Sequence, residues 1–110
     1  MAARLIISNG KFKGKEFRLG EGTNLIGRWD PDTGAFPEVD LDDEDEEAKI
    51  SRKHAAIRKS GSEITIRDIG SLNGTFINRG DRLEEGKEYP LQEGDEVIVG
   101  KIFLRLALTE

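Results

Sequence analysis

Read as a string of apolar and polar positions, most of the chain alternates with a period of two. Lys15-Glu16-Phe17-Arg18-Leu19 puts every second side chain on one side. Glu63-Ile64-Thr65-Ile66-Arg67-Asp68-Ile69 does the same, with Ile64, Ile66 and Asp68 sharing a face. Similar short runs cover Arg4–Ser8, Thr23–Arg28, Ala55–Lys59, Phe76–Asn78, Glu88–Leu91, Glu96–Val99 and Ile102–Leu108. Turn formers separate them: Asn9-Gly10, Gly20-Glu21-Gly22, Ser60-Gly61-Ser62, Asn73-Gly74 and Glu93-Gly94-Asp95. From Trp29 to Glu47 the alternation lapses into a long surface loop rich in proline and turn formers, with a short strand expected at Val39–Leu41. No segment carries the period of an amphipathic helix. The pattern predicts an all-β fold, an antiparallel sandwich of about ten or eleven short strands.

A length of 110 residues fits a single domain, taken as 1–110. Cysteine is absent, which excludes disulfides, thiolate metal sites and thiol nucleophiles and accords with a reducing compartment. No apolar run approaches the roughly 20 residues that span a bilayer. Met1–Ile7 reads as a first strand, not a signal peptide. The expectation is a soluble cytoplasmic domain, a monomer by default, with neither membrane nor nucleic-acid partner. A net charge of −5 and an aromatic share of 6% support the latter exclusion, since no basic stripe offers itself to a polyanion. The charge is unevenly placed, however. Seven of the 22 acids crowd into Asp40–Glu47, leaving 15 against 17 cations elsewhere. An anion site would therefore be local.

The densest chemistry lies just beyond that tract, in Lys49-Ile50-Ser51-Arg52-Lys53-His54-Ala55. This run packs a hydroxyl, three cations and the single histidine into one short stretch. Acid–base catalysis would need a residue to orient His54 toward Ser51, and neither cysteine nor a metal-ligand cluster accompanies them. His54 is read instead as a structural histidine bonded to loop backbone. Asp30, Asp32 and Gly34 open a segment with a calcium-like spacing, but Ala35 stands where the calcium loop requires glycine. No cofactor or metal is expected.

Four blocks in order carry a resemblance. Gly27-Arg28, Ser51-Arg52-Lys53-His54-Ala55, Asp68-Ile69-Gly70-Ser71-Leu72-Asn73-Gly74-Thr75-Phe76-Ile77-Asn78 and Leu91–Gly100 together resemble a forkhead-associated (FHA) domain, over about Arg4 to Leu108. The resemblance implies a sandwich whose loops, clustered at one end, recognise phosphothreonine in a partner protein without catalysis. It implies that Arg28 contacts the phosphate, that Ser51 donates its hydroxyl and that Arg52 adds a contact. By the same resemblance Asn73 holds the peptide backbone, Lys49 reads a residue after the phosphothreonine, and Gly27, His54, Gly74 and Asn78 shape the loops. Leu72 departs from the pattern, because many relatives carry threonine there and leucine cannot donate. The phosphate is then expected to rely on Arg28, Ser51, Arg52 and backbone N–H groups. A phosphothreonine carries about −1.5 to −2 charge and three strong acceptors, which suits arginine's fixed fork. Two rival readings are a phosphate-independent scaffold on the same fold and a calcium-binding loop module.

Overall fold

The computed structural model describes residues 1–109. Ten strands form two five-stranded sheets, and none of the described residues is helical. The first five strands are β1 (Ala2–Ile7), β2 (Glu16–Leu19), β3 (Gly22–Gly27), β4 (Val39–Asp40) and β5 (Lys53–Ser60). The rest are β6 (Glu63–Asp68), β7 (Thr75–Ile77), β8 (Tyr89–Leu91), β9 (Glu96–Val99) and β10 (Ile102–Thr109). One sheet runs β2-β1-β10-β9-β7 and the other β4-β3-β5-β6-β8. The period of two reappears as burial: Ala3, Leu5 and Ile7 of β1 point inward, as do Ile64, Ile66 and Asp68 of β6. Leu104, Leu106, Ile26, Ile57, Val97 and Val99 complete the core between the sheets.

Among the named strands, the sandwich departs from pure antiparallel pairing at one place. β4 runs parallel to β3, pairing Ile26 with Val39 and Gly27 with Asp40. A parallel neighbour needs a crossover rather than a tight hairpin, and the loop after Arg28 supplies it. The tract Asp40–Glu47 is also less solvated than a run of acids suggests. Leu41 is fully buried, and the backbone N–H groups of Glu44 and Asp45 close turns onto its carbonyl. Glu44 pairs with Lys15 at 2.8 Å, Glu46 with Lys11 at 2.6 Å and Glu47 with Lys101 at 3.3 Å. These pairs tie the tract to the β1–β2 and β9–β10 turns. Among the described residues no helix is long and apolar enough to cross a membrane.

Candidate functional site

The site begins at an irregularity in β3. Between Ile26 and Gly27 the register against β5 shifts, so that Ile26 pairs with Ala55 but Gly27 with Lys53. A Cβ on Gly27 would lie 1.8 Å from the Arg52 carbonyl oxygen, so only glycine permits this approach. The Arg28 N–H then donates to that same carbonyl at 3.0 Å. Arg28 is thereby set beside the segment Ile50–Arg52, and its Nε donates to the Ile50 carbonyl at 2.8 Å.

Arg28, Ala48, Lys49, Ile50, Ser51, Arg52, Leu72 and Asn73 line one open cleft of about 260 Å³. Three segments distant in sequence converge there: the end of β3, the β4–β5 connection and the β6–β7 loop. With Nε committed to backbone, Nη2 of Arg28 remains for a ligand, while Nη1 lies 3.7 Å from Asp42 Oδ1. Ser51 Oγ accepts from the Leu72 N–H at 3.1 Å, which leaves the hydroxyl proton to donate outward. Asn73 Nδ2 donates to the Lys49 carbonyl at 2.8 Å, and its Oδ1 is an acceptor for a peptide N–H. Arg52 also lines the cleft, its Nε 2.6 Å from Asp30 Oδ2.

One expectation changes. Leu72 is 82% exposed, and its N–H is committed to Ser51, so it offers a phosphate neither side-chain nor backbone donor. Asn78 does not join the cleft. The strand β7 separates it from Gly74, and it instead ties the β7 end to β9: its N–H donates to the Glu96 carbonyl, its Oδ1 accepts from the Glu96 N–H, and its Nδ2 donates to Asp95. Its φ of +51° suits asparagine, which tolerates the left-handed region.

His54 holds the loops from beneath. Its Nδ1 accepts the Ser51 N–H at 3.0 Å and its Nε2 lies 2.8 Å from the Gly74 carbonyl. Accepting at Nδ1 requires the proton on Nε2, so the neutral ring donates to Gly74 and joins two cleft segments. Burial pushes its pKa down; the Gly74 carbonyl and the Asp68 and Asp45 carboxylates oppose this without overcoming it. Gly74 itself has φ of +90°, and a Cβ there would meet Arg82 Nε at 2.8 Å.

Several supporting residues escape sequence reasoning. The inward Asp68 accepts from the N–H groups of Gly70 and Ser71, from Ser71 Oγ and from Thr75 Oγ1, shaping the whole β6–β7 loop. Burial raises its pKa, but these hydrogen bonds outweigh that and keep it below the usual carboxylate value. An acid on the apolar side of an alternating strand was the available signal. Asp45 accepts the N–H groups of Lys49 and Ile50, each at 2.9 Å, and stands 3.7 Å from Arg28. Nothing distinguishes it from its neighbours in a run of acids. Arg82 donates to the Ser71 and Leu72 carbonyls, and Gly100 abuts Ile50, where a Cβ would meet Cγ1 at 2.8 Å. The carboxylate of Asp30, where a calcium loop would begin, is occupied by the Asp32 N–H, the Thr33 hydroxyl and Arg52.

The model of the FHA domain family matches residues 24–100. The chain is 37% identical over 103 residues to an oxoglutarate dehydrogenase inhibitor of Corynebacterium jeikeium, covering 94% of this chain and 62% of that protein. It is 39% identical over 103 residues to the glycogen accumulation regulator GarA of Mycolicibacterium smegmatis, covering 94% and 57%. The chain thus spans less than two thirds of these relatives' length. It also resembles a chain solved in a structural and functional analysis of phosphothreonine-dependent FHA domain interactions, with a TM-score of 0.78, 27% identity and coverage of 100% and 99%. A second likeness is to the FhaA FHA domain complexed with the intracellular domain of Rv3910, with a TM-score of 0.75, 27% identity and coverage of 94% and 98%.

Proposed function

The chain belongs to the FHA domain family, and from that premise we propose that its cleft binds phosphothreonine-bearing segments of partner proteins without transforming them. The observation that supports this is the meeting of Arg28, Ser51, Arg52 and Asn73 around one open cleft. Each of them makes a contact that orients it and leaves donors or acceptors for a ligand. In this reading Arg28 and Ser51 hold the phosphate and Arg52 adds a charge-assisted contact. Such bonds contribute roughly 1.5–3 kcal/mol each. Asn73 grips the peptide backbone, Lys49 reads a side chain beyond the phosphothreonine, and Leu72 offers apolar contact. His54, Gly27 and Gly74 set the loop geometry.

The same reading makes residues 1–110 one adaptor domain in cytoplasmic signalling, monomeric, with no cofactor and no enzymatic step. His54 supports the non-catalytic part, because both its ring nitrogens are engaged with backbone, leaving no general base for Ser51. The test is calorimetric titration of one peptide in phosphothreonine, phosphoserine and unmodified forms. The phosphothreonine form is expected to bind tightest and the unmodified form not measurably; equal binding of all three would reject the proposal.

A specific observation favours a second reading, a phosphate-independent scaffold. Arg52 is already paired with Asp30 at 2.6 Å, and Arg28 lies 3.7 Å from both Asp42 and Asp45. Carboxylates thus attend both arginines. A partner interaction that survives phosphatase treatment would favour the scaffold.

A further inference from the structure

The loop between β3 and β4 contains a small hairpin that the phosphate cleft does not use. Asp30 and Ala35 exchange both backbone hydrogen bonds, at 2.9 and 2.8 Å. They form an isolated antiparallel bridge closed by Pro31–Gly34. Ala35 is fully buried, and the Asp30 side chain is turned toward Arg52. Trp29 and Phe36 flank this bridge, each the next residue outward from the bonded pair, where the pleat turns side chains away from the face of Asp30 and Ala35. Both are more than half exposed, Trp29 at 54% and Phe36 at 60%. Large aromatic side chains displayed as a pair on an ordered hairpin leave apolar surface for a partner.

Two further observations identify the occupant. First, the face is continuous with the cleft. Trp29 follows Arg28 directly, and the Asp30–Arg52 pair joins the hairpin to the Arg52 end of the Lys49–Arg52 segment, whose Lys49 end is held by Asn73. If residues after a phosphothreonine lie toward Lys49 and Asn73, residues before it lie toward the hairpin. Second, the same loop carries carboxylates close in the chain to both aromatics. The Trp29 N–H is bonded to Asp40 Oδ1 at 3.1 Å, and Asp32 sits exposed at the hairpin tip. Neither acid has a cationic partner among the described residues. Aromatic faces beside carboxylates suit a planar cation, which stacks on the ring and pairs with the acid.

We propose that the Trp29–Phe36 face receives an arginine that precedes the phosphothreonine in the bound partner segment. The inference rests on the phosphothreonine reading of the cleft. It extends that reading to a second contact surface with its own chemistry.

Trp29 is the single tryptophan of the chain, so its fluorescence reports on this face alone. A phosphothreonine peptide library, degenerate at the positions before the phosphothreonine, should select arginine there. A single peptide with that arginine should bind about five- to tenfold more tightly than its alanine counterpart, the range of a partly desolvated cation–aromatic contact. It should also shift the Trp29 emission, whereas the alanine peptide should bind silently. Trp29→Ala and Phe36→Ala, both at exposed positions, should erase the arginine preference while leaving the alanine peptide's affinity intact. Phosphopeptides that bind with no arginine preference and no change in Trp29 emission would overturn the inference and leave the cleft reading standing. An emission shift caused by raising protein concentration alone would also overturn it, by assigning the face to a second copy of the chain. Failure of every phosphothreonine peptide to bind would remove the cleft reading and this inference with it.

Discussion

Two carboxylates shape the cleft from opposite sides, and they do so by different means. Asp68 works from inside the sandwich, at the end of β6, gathering four donors from Gly70, Ser71 and Thr75. Asp45 works from the acidic tract, its side chain also nearly buried at 3% exposed, gathering the N–H groups of Lys49 and Ile50 and facing Arg28. The first fixes the loop that presents Leu72 and Asn73; the second fixes the segment that presents Lys49 and Ser51. Asp68 is part of the core's polar wiring, so its removal is a matter of stability. Asp45 orders the connection that carries Lys49 and Ser51, beside Ala48 in the left-handed region at φ +53°, so its removal bears on site geometry as well.

The sharpest way to break this contrast is to delete each hub. Asp68→Ala leaves two hydroxyls and two N–H groups without their acceptor and should cost about 3–4 kcal/mol of stability, measured by urea unfolding. Asp45→Ala should cost only about 1–2 kcal/mol. Equal losses would abolish the distinction between the four-donor hub and the two-donor hub. Next comes Arg28→Ala, which removes the proposed phosphate anchor that Asp45 faces. Phosphothreonine-peptide affinity should fall by about 2–4 kcal/mol, read by calorimetry, with the thermal midpoint little changed.

A pH series sharpens the comparison at smaller scale. His54 has a lowered pKa in the folded state, so its contribution to stability is complete above its ordinary value of 6.5 and is lost as pH falls below it. Asp68, also lowered, contributes fully above its ordinary value of 3.8 and loses that contribution as pH falls further. Unfolding free energy should therefore decline in two separate acid stages, and His54→Gln should remove the first. The smallest effect is expected from Leu72→Thr. It restores a hydroxyl at an exposed rim position and should tighten phosphopeptide binding by about 0.5–1 kcal/mol. No change at all in that titration would mean that Arg28, Ser51 and Arg52 already satisfy the phosphate.

The distinction between the hubs also marks what was legible in the chain itself. Strands announced themselves through period-two alternation because both sheets bury one face, and Ile64, Ile66 and Asp68 fall inward as the pattern requires. The convergence of Arg28, Ser51, Arg52, Leu72 and Asn73 followed from ordered motifs. What stayed hidden was the directional use of individual hydrogen bonds. Nothing in the residue order says that the Leu72 N–H serves Ser51, that Arg52 pairs with Asp30, or that Asn78 lies beyond the far end of β7. Nor can a run of seven acids reveal that Glu44 and Asp45 are the two that turn inward. Such choices depend on loop paths through three dimensions, and the parallel β3–β4 pair, made by a crossover loop, was hidden for the same reason.

The most direct test of the phosphate cleft is residue-resolved. Backbone amide resonances of the labelled domain can be followed by NMR while a phosphothreonine peptide and its unmodified twin are added separately. The phosphorylated form alone should move Arg28, Ser51, Arg52, Leu72 and Asn73 as one contiguous set. Equal shifts from both peptides, or shifts confined to the outer face of the β2-β1-β10-β9-β7 sheet, would contradict it.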